Sequence, residues 1–296
     1  MRTRLTLSAL LLCALLCPVS LKGAELVPSD LKVDTLRYDL SLSYPVHIYL
    51  VRPRAAAQPL PCIVYVPGSA WKKQKMDRAV RNQAALALRG YAVAFVEYRP
   101  CSEALFPAQV EDVKTATRYL RERAARFGLD ARNFFAWGSS SGAHTVLLHA
   151  FTQDSSLLDN EHGVPTSCAV NAVVDYYGPS ELVHEFRIQH GKQERPDQNG
   201  GLLLGDPVEE KRDVAIKASP LYYVHPLCVP VFVAHGDADK VVPVEQSHWL
   251  VERLRTSGVR VEYVELPGSK HGGPAFNTPE LLNRIFSFLD SCRITN

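Results

Sequence analysis

The sequence lacks the charge imbalance and compositional bias that mark several protein classes. Lys and Arg total 33 against 31 for Asp and Glu, so there is no basic excess of the kind that accompanies nucleic-acid binding. The 17 glycines follow no triplet repeat, which excludes a collagen-like chain. Hydrophobic residues make up 46% and charged residues 22%, which is typical of a globular protein rather than a disordered one. We therefore expect a folded chain without a nucleic-acid partner.

Metal-binding motifs are also missing. There is no C-x-x-C pair, no zinc-knuckle spacing and no H-E-x-x-H, and His144 and His149 are five residues apart, so they do not share a helix face. We predict no metal and no organic cofactor. Beyond the N-terminal segment five cysteines remain, an odd number whose pairing the sequence leaves open. They are Cys62, Cys101, Cys168, Cys228 and Cys292.

The N-terminal segment has the pattern of a secretory signal peptide. Arg2 and Arg4 precede an apolar stretch at 5–16, and small residues follow it. A bilayer span needs about 20 apolar residues, and this run is shorter, which disfavours a membrane anchor. Lipid attachment through Cys17 is disfavoured because leucines rather than small residues precede it. We predict a signal peptide over 1–23 and a secreted or periplasmic protein without stable membrane insertion.

After about residue 30, strand-like apolar runs alternate with amphipathic helical patterns. The first two runs, 33–42 and 46–53, predict an antiparallel pair. Several later runs are continuously apolar, which is typical of a sheet covered on both faces. Further strands are predicted at 62–68, 91–99, 133–138, 172–178, 229–236 and 259–268, and helices at 75–88, 107–127, 143–152, 245–256 and 279–289. This alternation predicts an α/β doubly wound sheet.

One segment, 181–218, interrupts the alternation. It is polar, contains Pro196 and a pair of glycines at 200–201, and is long for a plain crossover. We predict a cap or lid inserted over a site. The alternative, a surface excursion with no contact to substrate, is equally compatible with the composition.

The strongest chemical signal is a G-x-S-x-G motif at 138–142. The apolar run FFAW precedes it and AHTVLLHA follows it, which gives the strand–turn–helix setting that exposes a nucleophilic serine above a sheet. Flanking glycines suit a turn too tight for side chains. The motif predicts Ser140 as a nucleophile. The alternative is a helix N-cap, a role that Ser139 or Ser141 would equally fill.

A serine nucleophile needs a base and an acid, which in this architecture follow it in the order acid, then histidine. Asp239 lies in a loop after the strand-like run at 229–236, and His271 lies in a loop after the last one. Both positions are at carboxyl ends of strands, where such sheets place their sites. Asp237 competes for the acid role. His235 is interpreted as a strand-end histidine that hydrogen-bonds to loop backbone.

The reaction also needs donors for an oxyanion. The segment 64–71 runs from the first central strand into a loop whose backbone N–H groups are candidate donors, and the backbone N–H of Ser141 follows the nucleophile. The alternative for 64–71 is an ordinary turn. Trp71, Tyr176 and Tyr177 are candidates for the walls of a substrate pocket, or simply large residues that bury area.

With these residues in place, the chain resembles α/β-hydrolases of the feruloyl-esterase-like and acetyl-esterase group. The blocks that carry the resemblance include IVYVPGSAW, FFAWGSSSGAH, VVDYYGPSEL, VFVAHGDADKVVP and VELPGSKHGG. The resemblance implies an α/β-hydrolase domain over 24–296, with a mostly parallel central sheet, an antiparallel N-terminal strand pair and helices on both faces. It also implies Ser140 as nucleophile, Asp239 as acid and His271 as base, with the oxyanion loop at Gly68, Ser69 and Ala70.

The chain departs from that group at two places. The group usually has His-Gly-Gly-Gly-Trp where this chain has Pro-Gly-Ser-Ala-Trp at 67–71. A side chain at a position that needs positive φ costs about 1–2 kcal/mol, so we expect a shifted oxyanion loop around Ser69 and Ala70. Ser139 stands where members often carry an acid.

The resemblance implies a secreted serine carboxylesterase. Its expected substrates are small acyl esters or carbohydrate-linked esters of the acetyl or feruloyl type, either small molecules or polysaccharides. The oligomeric state is left open. Two alternatives remain at this point. One is a prolyl-oligopeptidase-like serine peptidase, because the same triad serves both reactions. The other is a catalytically inactive hydrolase-fold binding protein, for which the altered oxyanion loop is the main support.

Overall fold

The computed structural model describes residues 27–39, 41–56, 58–153, 155–161, 163–183 and 199–295. The signal peptide predicted over 1–23 lies outside these residues. No helix among the described residues combines the length and the apolar character that crossing a bilayer requires.

Eight strands of the described chain form one sheet, in the order β1-β2-β4-β3-β5-β6-β7-β8. β2 runs antiparallel to both of its neighbours, β1 and β4, and the pairs from β4 to β8 are all parallel. The predicted antiparallel start and mostly parallel sheet are therefore confirmed. The strands are β1 (Leu31–Arg37), β2 (His47–Pro53), β3 (Leu60–Val66), β4 (Ala92–Val96), β5 (Leu129–Ser139), β6 (Val173–Tyr176), β7 (Val231–Gly236) and β8 (Val261–Leu266).

Helices of the described chain connect the strands. They are α1 (Met76–Gln83), α2 (Ala108–Glu122), α3 (Ala124–Phe127), α4 (Ser141–Phe151), α5 (Asn199–Leu204), α6 (Arg212–Lys217), α7 (Glu245–Thr256) and α8 (Pro279–Ser291), with 3₁₀ turns at Ala84–Arg89, Pro220–Tyr223 and Pro274–Asn277. The helix predicted over 107–127 is broken at Arg123, where φ is −106° and ψ is 17°. The helix predicted over 75–88 continues past Gln83 as a 3₁₀ turn. Over a single turn, an α-helix and a 3₁₀ helix have nearly the same spacing of apolar residues, so the hydrophobic periodicity of the sequence did not distinguish them.

Apolar side chains cover the sheet on both faces. Val64 and Ala136 belong to a buried cluster with residues of α2, α4 and α7, whereas Ile63 and Phe135 belong to one with residues of α1 and α8. These four strand residues are fully buried, because successive side chains of a strand point to opposite faces and both faces carry helices. The carboxyl ends of the parallel strands consequently share one edge, and the loops that leave this edge bring distant residues together.

Candidate active site

Ser140 occupies the sharp turn between β5 and α4. Its φ of 54° and ψ of −129° lie in a region that non-glycine residues rarely adopt. Two backbone hydrogen bonds hold the turn: the Ser140 N–H donates to the Tyr176 carbonyl at 2.8 Å, and the His144 N–H donates to the Ser140 carbonyl at 3.1 Å. The turn lifts the Ser140 side chain out of the strand and above the edge of the sheet.

The two glycines of the motif are required by close packing around this turn. A Cβ on Gly138 would lie 2.4 Å from the Ala143 nitrogen, and a Cβ on Gly142 would lie 2.0 Å from the Val66 carbonyl oxygen. Both distances are far below van der Waals contact, so any side chain would push α4 away from β3 and β5.

Ser140, His271 and Asp239 form one line of hydrogen bonds. The Nε2 of His271 lies 2.9 Å from the Ser140 Oγ, and the Nδ1 of His271 lies 2.6 Å from the Asp239 Oδ2. Because an ionised carboxylate only accepts, Nδ1 carries the proton and Nε2 presents its lone pair to the serine hydroxyl. Residues 131 and 32 positions apart in the chain thus adopt the arrangement in which a histidine takes a proton from a serine.

Asp239 is held as an ionised carboxylate. Its Oδ1 accepts the N–H of Val241 at 2.7 Å and the N–H of Val242 at 3.0 Å. Burial alone would raise the pKa of Asp239, but hydrogen bonds from His235 and His271 and from the Val241 N–H outweigh it. The pKa therefore lies well below the usual range of an aspartate, and the charge is available to stabilise a protonated His271.

Asp237, the competing candidate for the acid, has a different partner. Its Oδ1 accepts the N–H of Gly268 at 2.6 Å, and the residue is exposed to solvent. That bond ties the loop after β7 to the loop after β8, which carries His271. Asp237 therefore acts on the position of the loop, while Asp239 is the acid that contacts the imidazole.

His235 makes the predicted backbone bond and one contact more. Its Nε2 lies 3.0 Å from the Val242 carbonyl, and since a carbonyl only accepts, Nε2 carries the proton. Its Nδ1, 2.7 Å from the Ser247 Oγ, then accepts from the hydroxyl. The same Nε2 lies 3.3 Å from the Asp239 Oδ2, so this histidine also contacts the acid. The strand-end position gave no signal for that second contact.

The oxyanion loop does not offer all the predicted donors. The N–H of Ser69 donates to the Ser141 Oγ at 2.9 Å, and the N–H of Gly68 donates to the Ser139 Oγ at 3.1 Å, so both are occupied. The N–H of Ala70 makes no hydrogen bond to any described residue. The N–H of Ser141 stands at the first position of α4, where no intrahelical acceptor exists. The arrangement leaves Ala70 and Ser141 as donors and removes Ser69 from the predicted set.

The backbone of this loop is strained at Ala70 and Trp71, whereas Ser69, one of the two residues around which a shift was expected, does not have a positive φ. Ala70 has a φ of 52° and Trp71 a φ of 55°, a region that costs a non-glycine residue about 1–2 kcal/mol. Bonds around the buried Gln74 side chain hold the loop in place. This side chain donates to the Pro67 carbonyl at 3.1 Å and accepts the Tyr98 N–H at 3.0 Å. The surroundings thus impose the strain, as is common where backbone groups serve a site.

Two of the three predicted pocket residues lie in the core. Trp71 is 4% exposed and Tyr176 is 2% exposed, so neither presents a wall to solvent. The indole N–H of Trp71 donates to the His144 Nδ1 at 3.2 Å, and the His144 Nε2 donates to the Ala218 carbonyl at 2.6 Å. The hydroxyl of Tyr176 donates to the Phe276 carbonyl at 2.8 Å. Both aromatic residues bury area and fix loops, which was the alternative interpretation.

Tyr177, the third predicted pocket residue, lies beside the triad. It is half-buried, and its ring centroid is 4.6 Å from that of His271. A Cβ on Gly272 would lie 3.0 Å from the Tyr177 hydroxyl, so the histidine loop wraps closely around this ring. Burial raises the pKa of Tyr177, and its hydroxyl stays protonated. The ring therefore limits the orientations that the His271 imidazole adopts.

The described part of the 181–218 segment packs against the loop that carries Trp71. One buried cluster contains Trp71, Leu182, Val183, Leu203, Leu204, Val208, Ala215 and Ala218. Residues 184–198 of the segment lie outside the described residues. Its described part is anchored on the oxyanion loop, which disfavours a loose excursion, and its role as a cap stays a prediction.

The cysteines and acidic groups do not suggest other chemistry. Cys62, Cys101, Cys168, Cys228 and Cys292 are all free thiols. Within the part of the chain that the structure describes, no three His, Cys, Asp or Glu side chains are placed to hold a metal ion.

Comparison with known sequences finds a matching family and relatives that are named as esterases. A sequence model described as BD-FAE matches residues 46–254. Esterase LipC of Mycobacterium tuberculosis is 34% identical over 220 residues, which cover 73% of this chain and 53% of that protein. Esterase LipQ of the same organism is 31% identical over 71% of this chain and 50% of that protein. The chain thus spans about half the length of these curated relatives.

Comparison with solved structures gives the same fold. A truncated carbohydrate esterase from gut microbiota is 27% identical with a TM-score of 0.77, over 88% of this chain and 95% of that one. A bifunctional GH43-CE protein of Bacteroides eggerthii is 28% identical with a TM-score of 0.78, over 90% of this chain and 36% of that one. An esterase of Thermogutta terrifontis, at 23% identity and a TM-score of 0.72 over 89% of this chain and 96% of that one, shows the fold alone.

Proposed function

Since the chain belongs to the BD-FAE family of α/β-hydrolases, we propose that it is a serine carboxylesterase that acts through Ser140, His271 and Asp239. The observation that carries the proposal is the continuous line of hydrogen bonds from the Ser140 Oγ through His271 to Asp239, at 2.9 and 2.6 Å. A serine hydroxyl is a weak nucleophile without such a base. Among its relatives, proteins named as esterases provide independent support.

In the proposed reaction, the Ser140 Oγ attacks the ester carbonyl carbon while His271 Nε2 accepts the hydroxyl proton. The tetrahedral intermediate collapses, the C–O bond of the ester breaks, and the same proton passes from Nε2 to the leaving alcohol. Water then attacks the acyl-enzyme, gives a proton to Nε2, and the acid leaves as Ser140 recovers its hydrogen. The charge of Asp239 stabilises His271 in its protonated state in both halves.

The developing oxyanion is proposed to lie between the backbone N–H groups of Ala70 and Ser141. One such donor typically contributes about 3 kcal/mol to the transition state. The Ser141 N–H also belongs to the N-terminus of α4, where the helix dipole favours negative charge. Two donors suffice for an oxyanion hole, so the occupied N–H of Ser69 does not prevent catalysis.

The proposed substrates are small acyl esters or carbohydrate-linked esters of the acetyl or feruloyl type. Support comes from two structural neighbours that are more than 25% identical, one described as a carbohydrate esterase and one as a GH43-CE protein. We further propose that the protein is exported, on the strength of the apolar N-terminal segment at 1–23. A polysaccharide ester outside the cell would fit both proposals.

The direct experiment compares the wild type with Ser140→Ala on 4-nitrophenyl acetate and acetylated xylan, together with labelling by a fluorophosphonate. The wild type is expected to be labelled once and to turn over, and Ser140→Ala to lose labelling and several orders of magnitude in kcat. Ser257→Ala, at the far end of α7, is the matched control. A folded wild type without labelling or turnover would favour the inactive binding protein and overturn the proposal.

A further inference from the structure

Five exposed lysines stand on the three loops that carry the site, and we propose that they select an ester with a carboxylate close to the scissile bond. The inference rests on the proposed function and adds a substrate class to it. The loops are 67–75 after β3, 237–244 after β7 and 267–273 after β8. We call the set the lysine rim: Lys72, Lys73, Lys75, Lys240 and Lys270.

Three members of the lysine rim are next to residues of the site. Lys270 precedes His271 and Lys240 follows Asp239, so in each pair the Cα atoms are about 3.8 Å apart. Lys72 donates its N–H to the Ser69 carbonyl at 3.1 Å, and Ser69 in turn bonds to the Ser141 side chain. A lysine side chain reaches roughly 6 Å. The ammonium groups therefore lie within roughly 10 Å of backbone that forms the site, a distance comparable to the Debye length of about 8 Å.

The five lysines of the rim outnumber the exposed acids on the three loops and in the helix turns that follow them, which are Asp237, Asp77 at the start of α1 and Glu245 at the start of α7. All three loops lie within the described residues, and none of the five lysines makes an ion pair with a described residue. The exposed acid on these loops is Asp237, and its Oδ1 accepts the Gly268 N–H. Asp239 is buried and serves His271. On the neighbouring loop, 97–107, Glu103 is exposed, while Glu97 pairs with His47.

The rim is a local feature of a chain that is nearly neutral. Lys and Arg exceed Asp and Glu by two over all 296 residues, so the charge around the site does not follow from a general basic composition. A cleft lined by one sign of charge raises the local concentration of oppositely charged substrate and its rate of association. The compact ammonium group of lysine attracts a carboxylate without requiring one fixed geometry.

The proposed substrate is thus an ester that carries a carboxylate, and the carboxylate can belong to either half of the ester. The carboxylate lies on the alcohol side when an acetylated sugar is a uronate, and on the acyl side when the acid is a dicarboxylic half-ester. The structural neighbour described as a carbohydrate esterase favours the source in which a sugar carries the carboxylate. A carboxylate on the alcohol side or on the acyl side of the ester would lie within the electrostatic field of the lysine rim, so the experiment includes both kinds of ester.

The experiment compares matched ester pairs with the full-length protein. The sugar pair is an O-acetylated methyl glucuronoside with a free carboxylate and the corresponding acetylated methyl glucoside. The acyl pair is 4-nitrophenyl hydrogen glutarate and 4-nitrophenyl butyrate. We measure kcat/KM at about 0.01 M and about 1 M salt, where the Debye length is about 30 and about 3 Å. At low salt we expect a preference of about tenfold or more for the anionic member of at least one pair, and its loss at high salt.

Charge variants make the test specific. In Lys72→Gln/Lys240→Gln/Lys270→Gln, the ratio of kcat/KM for the anionic over the neutral ester should fall about tenfold. Arg255→Gln removes one exposed cation from the last turn of α7, at the opposite edge of the sheet, and should leave that ratio unchanged. Equal kcat/KM for both members of both pairs at low salt would overturn the role of the lysine rim while the esterase function stands. Absence of turnover on all four esters, together with absence of fluorophosphonate labelling, would instead overturn the esterase function.

Discussion

The Nε2 of His235 lies 3.3 Å from the Asp239 Oδ2, the same oxygen that lies 2.6 Å from the His271 Nδ1. His235 is fully buried, and the Val242 carbonyl, 3.0 Å from Nε2, fixes the tautomer in which Nε2 carries the proton. The Asp239 carboxylate is therefore flanked by two imidazoles, that of His271 on the side of Ser140 and that of His235 behind it. This second imidazole contributes to the low pKa of Asp239 and restrains the carboxylate plane.

We expect His235→Leu to lower kcat by about ten- to hundredfold, because a hydrogen bond to a charged group is worth about 1.5–3 kcal/mol. His235→Gln should recover part of this loss, since its amide places a donor near the position of Nε2. KM should change little in either variant. Steady-state kinetics of both variants, alongside thermal unfolding, would check the expectation.

His248→Gln is the matched control for these variants. His248 is an exposed histidine on α7 that pairs with Glu265 at 2.7 Å, so its loss should leave kcat near that of the wild type. If His235→Leu folds and keeps wild-type kcat, His235 has no part in holding Asp239.

Asp175 on β6 predicts a pH dependence of stability. Its side chain is fully buried, its Oδ1 accepts the Gly178 N–H at 2.8 Å, and its Oδ2 bonds to no described residue. Burial raises the pKa of Asp175 to about 7, against smaller opposing effects of the Gly178 N–H and His235. Between about pH 4 and about pH 7 the unfolded chain has lost a proton that the folded protein keeps. The contribution of this residue to the free energy of unfolding therefore falls as pH rises through that window.

Asp175→Asn should remove this part of the pH dependence. Relative to the wild type, the variant should gain up to about 4 kcal/mol in the free energy of unfolding between about pH 4 and about pH 7. Urea unfolding of both proteins at several pH values measures the difference, and groups common to the two cancel. A difference that stays constant across the window would show that Asp175 titrates as an ordinary carboxyl.

Trp71→Phe tests the hydrogen bond between the oxyanion loop and α4. Phenylalanine keeps most of the buried ring but loses the indole N–H, which leaves the Nδ1 of the buried His144 without its donor. We expect a loss of about 1–3 kcal/mol in the free energy of unfolding, measured in urea. Trp249→Phe, on the half-buried face of α7, is the matched control. Equal losses in the two variants would attribute the effect to ring size alone.

Ala70→Gly tests the strain in the donor loop. Glycine adopts the observed φ of 52° without the steric cost that alanine bears, so we expect a gain of up to about 1 kcal/mol in the free energy of unfolding. The same substitution at Ala79, inside α1, should instead cost about 1 kcal/mol. Thermal or urea unfolding of the two variants provides the comparison, and a loss at both positions would show that Ala70 is unstrained in solution.

Much of the fold could be read from apolar runs, because strands buried on both faces leave continuous hydrophobic segments. The antiparallel start was visible as two strand-like runs, 33–42 and 46–53, separated by a short turn. The break of the long helix at Arg123 was not visible, since the residues of α2 and α3 continue one apolar periodicity. The hydrophobic pattern also did not predict that β4 lies between β2 and β3, because strand order depends on which faces of the sheet the crossover helices cover.

The sequence predicted that Ser140, Asp239 and His271 would lie close together, because their residue types and their order in the chain match one known arrangement, and the structure brings their side chains within hydrogen-bond distance. The site was not predictable where side-chain rotamers decide. Whether the Ser141 hydroxyl turns toward the Ser69 N–H is such a case. The burial of Trp71 is another case. The same sequence is compatible with a ring that lines a pocket and with a ring that fills the core. His144 had one signal: it comes two residues after the G-x-S-x-G glycine, on the first turn of α4.

The chain of hydrogen bonds from Trp71 through His144 to Ala218 connects the loop at 67–75, helix α4 and the end of the 181–218 segment. Ala70 precedes Trp71 and supplies an N–H to the proposed oxyanion, while Ala218 ends the segment that packs against Trp71. If this segment covers the site as predicted, a ligand that displaces it would also shift the backbone of Ala70. In the proposed esterase, substitutions in this segment that broaden the substrate range should therefore change the rate as well.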